Sequence, residues 1–458
     1  MFELSAAARA IGARHLGADA EVARVTTDSR DLQGADLFVA LKGPRFDGHA
    51  FVDQALAAGA LAALVSDTGA VKTPHARLLA VADTRVGLGK LASWWRGRFD
   101  LPLVAITGSN GKTTVKEMLA AILRAYTAEG AVLATEGNLN NDIGVPLTLL
   151  RIRPGHRYAV VEMGMNHLGE IAYLSRLARP TAAIINNAGT AHIGEVGSVE
   201  AIARAKGEIL EGLSGEGVAI LNSDDAFADY WRQLARGRRI VDFGLDRRAT
   251  VTARYELGET GSLVTFATPQ QEFVVRLAVP GVHNVRNALA AVSAAWVAAV
   301  PAAQIAAGLS GYHGVGGRLQ QLRLPGGALL LDDTYNANPE SMKAALSVLA
   351  GCAGKRILVM GDMGELGEAA VAMHAEIGLF ARRAGVHRLY ALGEASAAAA
   401  RAFGDGAEHF ESVEALIAEL GQELGSGSAV LVKGSRFMRM ERIVNALSGK
   451  LASARGDH

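Results

Sequence analysis

The chain has 458 residues, half of them apolar and a fifth charged, and its 46 basic side chains balance 46 acidic ones for a formal net charge of zero. Such a length exceeds one ordinary core and predicts about three domains, while the charge balance excludes a nucleic-acid binder working by broad phosphate neutralisation but not a local basic pocket. The single cysteine, Cys352, excludes an intramolecular disulfide and a Cys-rich zinc site, and is expected as a small buried residue in a reducing, cytoplasmic setting.

Met1 to Gly17 is interrupted by Glu3, Arg9 and Arg14, so it does not read as a secretory signal. Residues 1–100 alternate short β-like runs, such as Asp36 to Ala40 and Ala63 to Val65, with Ala-rich helical stretches, which predicts a small α/β domain. Residues 101–313 open on an apolar strand, Leu103 to Ile106. Thr107-Gly108-Ser109-Asn110-Gly111-Lys112-Thr113-Thr114 follows, then a helical pattern with Val115, Met118, Leu119 and Ile122 on one face. Further apolar runs at Tyr158 to Val161, Ala182 to Ile185 and Val218 to Leu221 predict a doubly wound parallel sheet, followed by a β-rich stretch from Ile240 to Val279. Ala288 to Leu309 lacks formal charges, yet its alanines and Pro301 predict two short buried helices and no membrane insertion. Gly311, Gly314, Gly316 and Gly317 mark a linker. Residues 314–458 then carry runs at Ala328 to Leu331, Arg356 to Met360, Arg388 to Leu392 and Ala429 to Val432, which predict a Rossmann-like domain.

Gly108 to Thr114 is the strongest local signal. Its glycines let backbone N–H groups approach phosphate oxygens, and the helix that follows adds a favourable dipole. Lys112 is placed for the β- and γ-phosphates and the Thr113 hydroxyl for Mg²⁺, although Ile106 stands where the usual spacing has a glycine. The alternative is an ordinary glycine-rich turn; the strand before and Lys-Thr at the helix start favour phosphate. By residue type alone, Glu162 reads equally as a structural acceptor or a metal ligand, His192 as a surface or packed histidine, and Lys206 as an exposed lysine on an Ala-rich helix.

The shortened loop at 107–114 resembles that of the Mur ligases. So do Glu162 in Val161-Glu162-Met163-Gly164, His192 in Asn187-Ala188-Gly189-Thr190-Ala191-His192 and Lys206 in Ala205-Lys206-Gly207-Glu208. His283-Asn284-Val285-Arg286-Asn287 and Gly317-Arg318 look like the family's later motifs, and the match is ordered along nearly the whole chain. Within the family, the segments Asp332 to Ser341, Met360 to Gly367 and Thr135 to Asn141 are similar to the D-alanyl-D-alanine-adding members, and the Asp-Asn-Pro-Arg motif of diaminopimelate-adding relatives is absent.

The resemblance implies an α/β chain of three domains: a small UDP-precursor domain over 1–100, a central P-loop doubly wound ATPase domain over 101–313 and a C-terminal Rossmann-like domain over 314–458. It implies ATP-dependent joining of D-alanyl-D-alanine to UDP-N-acetylmuramoyl-tripeptide, in the cytoplasm, by a chain expected to be a monomer. A carboxylate has no leaving group at neutral pH; phosphorylation supplies one, and an amine then displaces phosphate. The implied site comprises Lys112, with Thr113, Glu162, His192 and a carbamylated Lys206 as Mg²⁺ ligands. Gly108, Ser109, Asn110, Gly111, Thr114, His283, Asn284, Asn287, Arg318, Asp333 and Asn336 are the implied nucleotide contacts, with Tyr335 and Asn338 on the same loop as Asn336. Ser29, Arg30, Asp47, His49, Asn138, Asn140 and Asn141 are the implied donor contacts. Three other readings stay open: a diaminopimelate- or lysine-adding ligase of the same family, a non-catalytic P-loop nucleotide-binding module, and a P-loop kinase.

Overall fold

The structure, a computed structural model, describes residues 1–44, 46–128, 130–191 and 193–449. Near the N-terminus a five-stranded sheet runs in the order Arg14–Leu16, Leu78–Ala80, Ala62–Val65, Asp36–Val39, Arg24–Thr26, parallel except for the first pair. The helix Thr84–Arg96 follows, started by Asp83, whose carboxylate accepts the N–H groups of Arg85 and Val86. Its apolar face does not stay with this sheet. One continuous core runs from Phe2 and Leu4 through Leu88, Leu91 and Trp95 to Leu103, Val145, Ile171 and Leu174. The Trp95 indole donates to the Ile152 carbonyl, and the buried Arg96 guanidinium donates to the carbonyls of Phe99 and Ala178. The helix that ends the first region is therefore a shared wall, and residues 1–100 do not bury their apolar surface alone.

The central sheet has six parallel strands in the order Val132–Ala134, Tyr158–Glu162, Leu103–Thr107, Ala182–Ile185, Val218–Asn222, Arg239–Phe243. Leu103–Thr107 and Ala182–Ile185 are buried throughout, as strands covered on both faces must be. Helices Lys112–Tyr126, Val282–Val297 and Ala302–Ser310 close one face; the last two are the pair expected around Pro301. No described helix is long and apolar enough to cross a membrane. The β-rich stretch resolves into the sheet's last strand and an antiparallel sheet of Thr252–Leu257, Ser262–Ala267 and Glu272–Leu277. Leu103–Thr107 lies between the strand that precedes it in space and the one where the winding reverses, so its C-terminal end opens on the crevice where doubly wound sheets bind ligands.

Past the linker, where Gly314 and Gly317 take positive φ, a second six-stranded sheet runs Gln320–Arg323, Leu329–Asp333, Ser428–Lys433, Lys355–Gly361, Arg388–Leu392, Ala407–Phe410. Only its first pair is antiparallel. Cys352 is free and buried at the end of the helix Pro339–Ala350.

Candidate active site

The strand Leu103–Thr107 delivers the glycine-rich loop directly into the helix Lys112–Tyr126. Gly111 has φ +80°, and a Cβ there would run into the side-chain amides of Asn287 and Asn186, so glycine is required on two counts. Two asparagines that sequence reasoning did not single out brace the loop from the neighbouring strand. Asn187 receives the Ser109 N–H on its carbonyl (3.0 Å) and the Asn110 N–H on its side-chain oxygen (2.8 Å). The Asn186 amide donates to the Asn110 carbonyl (2.9 Å) and to Asn287 (3.1 Å), which ties the loop to the helix beginning at Val282. An Asn pair ending a strand beside the phosphate loop was the available signal.

Lys112 curls back so that its Nζ donates to the Gly108 carbonyl at 2.7 Å. Burial lowers its pKa, Glu162 opposing and Arg318 adding to that shift. The Thr113 hydroxyl donates to Glu162 Oε2 at 2.8 Å, and the Asn140 amide donates to Glu162 Oε1 at 2.8 Å. Glu162 is 2% exposed. Thr114 is buried beside Tyr312, whose burial raises its pKa.

Lys206 overturns its reading from residue type. It is not exposed: the helix Val199–Gly207 turns it wholly inward, and among the described residues its Nζ has no hydrogen-bond partner. Burial, with the Lys112 charge adding to it, drives its pKa well below the usual lysine value, while Glu162 and Glu208 pull the other way. Periodicity failed here because the alanines around Lys206 pack as core and take the lysine with them. His192 lies outside the described residues. Among the described residues no group of three or more His, Cys, Asp or Glu converges on a possible metal position. The donor set in view is Glu162, the Thr113 hydroxyl and the orphaned Lys206 amine.

The third region supplies the opposite wall. Arg318 NH2 donates to Thr113 Oγ1 at 3.0 Å, its guanidinium lies 4.2 Å from the Tyr335 ring centre, and its buried Nε has no hydrogen-bond partner among the described residues. Asp333 is engaged by the Lys433 ammonium (2.5 Å) and the Leu319 N–H (3.1 Å). Lys433 also donates to the Asn336 carbonyl at 2.8 Å, while the Asn336 side chain accepts the Ala337 N–H. Asn338 caps the helix Pro339–Ala350 and donates across the cleft to Asn110 at 2.8 Å. His283 is held neutral: burial, with Lys433 and Arg286 adding and Asp333 opposing, depresses its pKa to about 4. The Asn284 amide donates to the Pro280 carbonyl and accepts from Asn287.

The donor-side residues divide. Arg30 is exposed and forked onto Asp28, with Ser29 beside it, free to exchange that partner for a phosphate. His49 is held more firmly: its Nδ1 bonds Asp47 (2.6 Å) and its Nε2 accepts the Ser66 N–H (2.9 Å), so both ring nitrogens hold the loop. Asn141 likewise accepts the N–H groups of Ile143 and Gly144, starting a helix with its side-chain oxygen, and Asn140 orients Glu162. Asn138 is exposed.

Comparison with known proteins follows this geometry. Residues 21–96 match the Mur ligase family, catalytic domain; 106–295 the Mur ligase middle domain; and 317–436 the Mur ligase, glutamate ligase domain. The chain belongs to the Mur ligase family. It is 45% identical to the UDP-N-acetylmuramoyl-tripeptide--D-alanyl-D-alanine ligase of Escherichia coli over 94% of this chain and 95% of that protein. Among solved structures it resembles MurF from Acinetobacter baumannii, at TM-score 0.90, 38% identity and coverage of 97% of this chain and 98% of that one. MurF ligase from Thermotoga maritima, solved in complex with ADP, matches at TM-score 0.83 and 29% identity over 94% and 98%. Thr113 at the start of the loop's helix links the buried Glu162 to Arg318 from beyond the linker by hydrogen bonds.

Proposed function

We propose that this chain joins D-alanyl-D-alanine to UDP-N-acetylmuramoyl-tripeptide at the expense of ATP, through an acyl phosphate, releasing ADP and phosphate. One observation carries the reading: a glycine-rich loop, a buried carboxylate and an inward, unpartnered lysine share a cleft with an arginine from another domain. Relatives of the same printed activity span almost the whole chain. The backbone N–H groups of the loop and Lys112 hold the polyphosphate, and the unpartnered Nε of Arg318 is available to the phosphoryl group in transfer. Arg318 then exchanges its bond to Thr113 for one to phosphate. The neutral imidazole of His283, with Asn284 and Asn287, suits an uncharged nucleobase rather than a phosphate.

Glu162, Thr113 and Lys206 fit Mg²⁺ on one condition. An ammonium beside a dication is repelled by about 4 kcal/mol per unit charge pair at ~4 Å and an effective dielectric near ~20. Burial favours the uncharged Lys206 amine, which could add to CO₂: the N–C bond would form, one proton would leave, and an anionic oxygen donor would replace a cation. Held by these residues, Mg²⁺ would neutralise charge on the transferring phosphoryl group. The acceptor's small methyl groups and single peptide bond suit the compact polar loops Asn336-Ala337-Asn338 and Asp362-Met363-Gly364. We take the protein to act in the cytoplasm, as a monomer.

The test is phosphate release with ATP and the tripeptide precursor, acceptor by acceptor. D-alanyl-D-alanine should be required. Turnover with diaminopimelate or lysine and none with the dipeptide would assign the chain to another branch; a stable phosphorylated product without any amine would make it a kinase.

A further inference from the structure

The first turn of the helix Pro339–Ala350 touches the central domain at two points that flank the glycine-rich loop. Asn338, whose side-chain oxygen caps this helix through the Ser341 N–H, spends its amide on Asn110. Two residues on, both Glu340 oxygens are taken by Thr190: Oε1 accepts the Thr190 N–H at 3.1 Å and Oε2 accepts the Thr190 hydroxyl at 2.7 Å. A carboxylate in the first helical turn is favoured by the dipole whatever it touches. Being forked onto one residue 150 positions away is a further constraint. A side chain on Gly189 would already meet the Glu340 carboxyl at 3.4 Å, so the approach is close.

Thr190 ends the segment that braces the phosphate loop. Ser109 Oγ accepts the Gly189 N–H at 2.9 Å, and Asn186 and Asn187 hold the backbone of Ser109 and Asn110. The chain of contacts runs Glu340, Thr190, Gly189, Ser109. A charged hydrogen-bond pair thus links the third domain to the segment that braces the phosphate loop.

We propose that Glu340 is a positioning residue for the ligation step: its clasp on Thr190 sets the brace segment Asn186–Thr190 against the phosphate loop when the third domain docks, and so couples acceptor-domain docking to phosphoryl alignment. The inference rests on the ligase reading above. Glu340 touches neither nucleotide nor reacting atoms in this scheme, so its loss leaves the phosphate cradle itself intact.

The experiment compares Glu340→Ala, Glu340→Gln, Thr190→Val and the double variant Glu340→Ala/Thr190→Val in the full chain, with D-alanyl-D-alanine-dependent phosphate release and ADP binding by calorimetry. Glu340→Ala should lower kcat by about tenfold or more, as a small misplacement of reacting groups does. ADP affinity and melting temperature should stay near those of the unaltered protein. Gln, keeping one acceptor oxygen, should restore part of kcat. Thr190→Val should lower kcat too, and the double variant should be no worse than Glu340→Ala within about twofold, because the hydroxyl contact that Thr190→Val removes is already lost with the Glu340 carboxylate. Unchanged kcat in Glu340→Ala, or losses that multiply in the double variant, would overturn the clasp. If Glu340→Ala does not fold, Thr190→Val and Glu340→Gln decide by the same criterion. Absence of amine-dependent release in the unaltered protein would instead fail the ligase reading.

Discussion

Lys206 and His283 are both bases whose pKa falls on folding. Lys206 is fully buried, with no hydrogen-bond partner for its Nζ among the described residues. Replacing it by methionine, of similar length and no charge, should leave the melting temperature unchanged or higher, because an unsatisfied buried polar group is removed. Phosphate release should nevertheless collapse, since the anionic donor proposed for Mg²⁺ goes with it. A variant that melts early, or one that turns over normally, would contradict the assignment. His283 yields a pH prediction. Its pKa falls from 6.5 to about 4 on folding, so between those values the unfolded chain binds a proton that the folded chain refuses. Stability therefore falls as pH drops through that window, by up to about 1.4 kcal/mol per pH unit from this group. Below about pH 4 the folded form protonates as well and the contribution levels off. Ring resonances of His283 followed by NMR should show a neutral imidazole at pH 5, and urea melts of His283→Gln should show a shallower slope between pH 6 and 5.

At the scale of elements, the strand–loop–helix unit from Leu103 to Tyr126 is set by two kinds of constraint. The apolar strand and the helix register are local and legible. The loop shape is held by its neighbours: Asn186 and Asn187 from the next strand, and Asn287 from a helix far along the chain. Gly111→Ala puts a methyl group into the Asn186 and Asn287 amides at a backbone conformation that alanine resists. ADP affinity should fall by about tenfold or more while far-ultraviolet circular dichroism is unchanged, since a distorted cradle costs at least ~1.4 kcal/mol of phosphate contacts. Wild-type ADP affinity by calorimetry would show that the loop tolerates a side chain.

At the scale of the molecule, the linker joins the second region to a third that lies directly on it. Arg318 and Thr113 are 205 positions apart and in contact, as are Asn338 and Asn110, and the Gly194 N–H donates to the Glu365 carbonyl at 2.9 Å. The third region therefore lies in direct contact with the glycine-rich loop and the start of its helix. The first region attaches differently, through a continuous apolar core that includes the helix Thr84–Arg96. Its donor-side candidates are held elsewhere, Arg30 on Asp28, while Lys112 Nζ bonds the Gly108 and Ser109 carbonyls. Lys112→Ala should abolish ligation yet leave calorimetric binding of the UDP-precursor largely intact. Loss of that binding in a folded variant would mean the two sites are not separate.

The sequence by itself determined the three α/β regions, most of the inner strands of their sheets, the glycine-rich loop and the break between the helices around Pro301. Each of these is written in a few consecutive residues, as an apolar run, a turn glycine or a proline. Tertiary structure decided where side chains point and what they hold. Lys206 looks like a surface lysine among alanines until the strands and helices around it make those alanines core. His49 bonds Asp47 and Ser66, and the Asn141 side-chain oxygen starts the helix Gly144–Leu149, and neither link can be read from residue type. The helix Thr84–Arg96 reads as part of the first region until its second apolar neighbour is in place. Hydrogen-bond partners and burial depend on which distant segments the crossovers bring together, and no local pattern of residues encodes that.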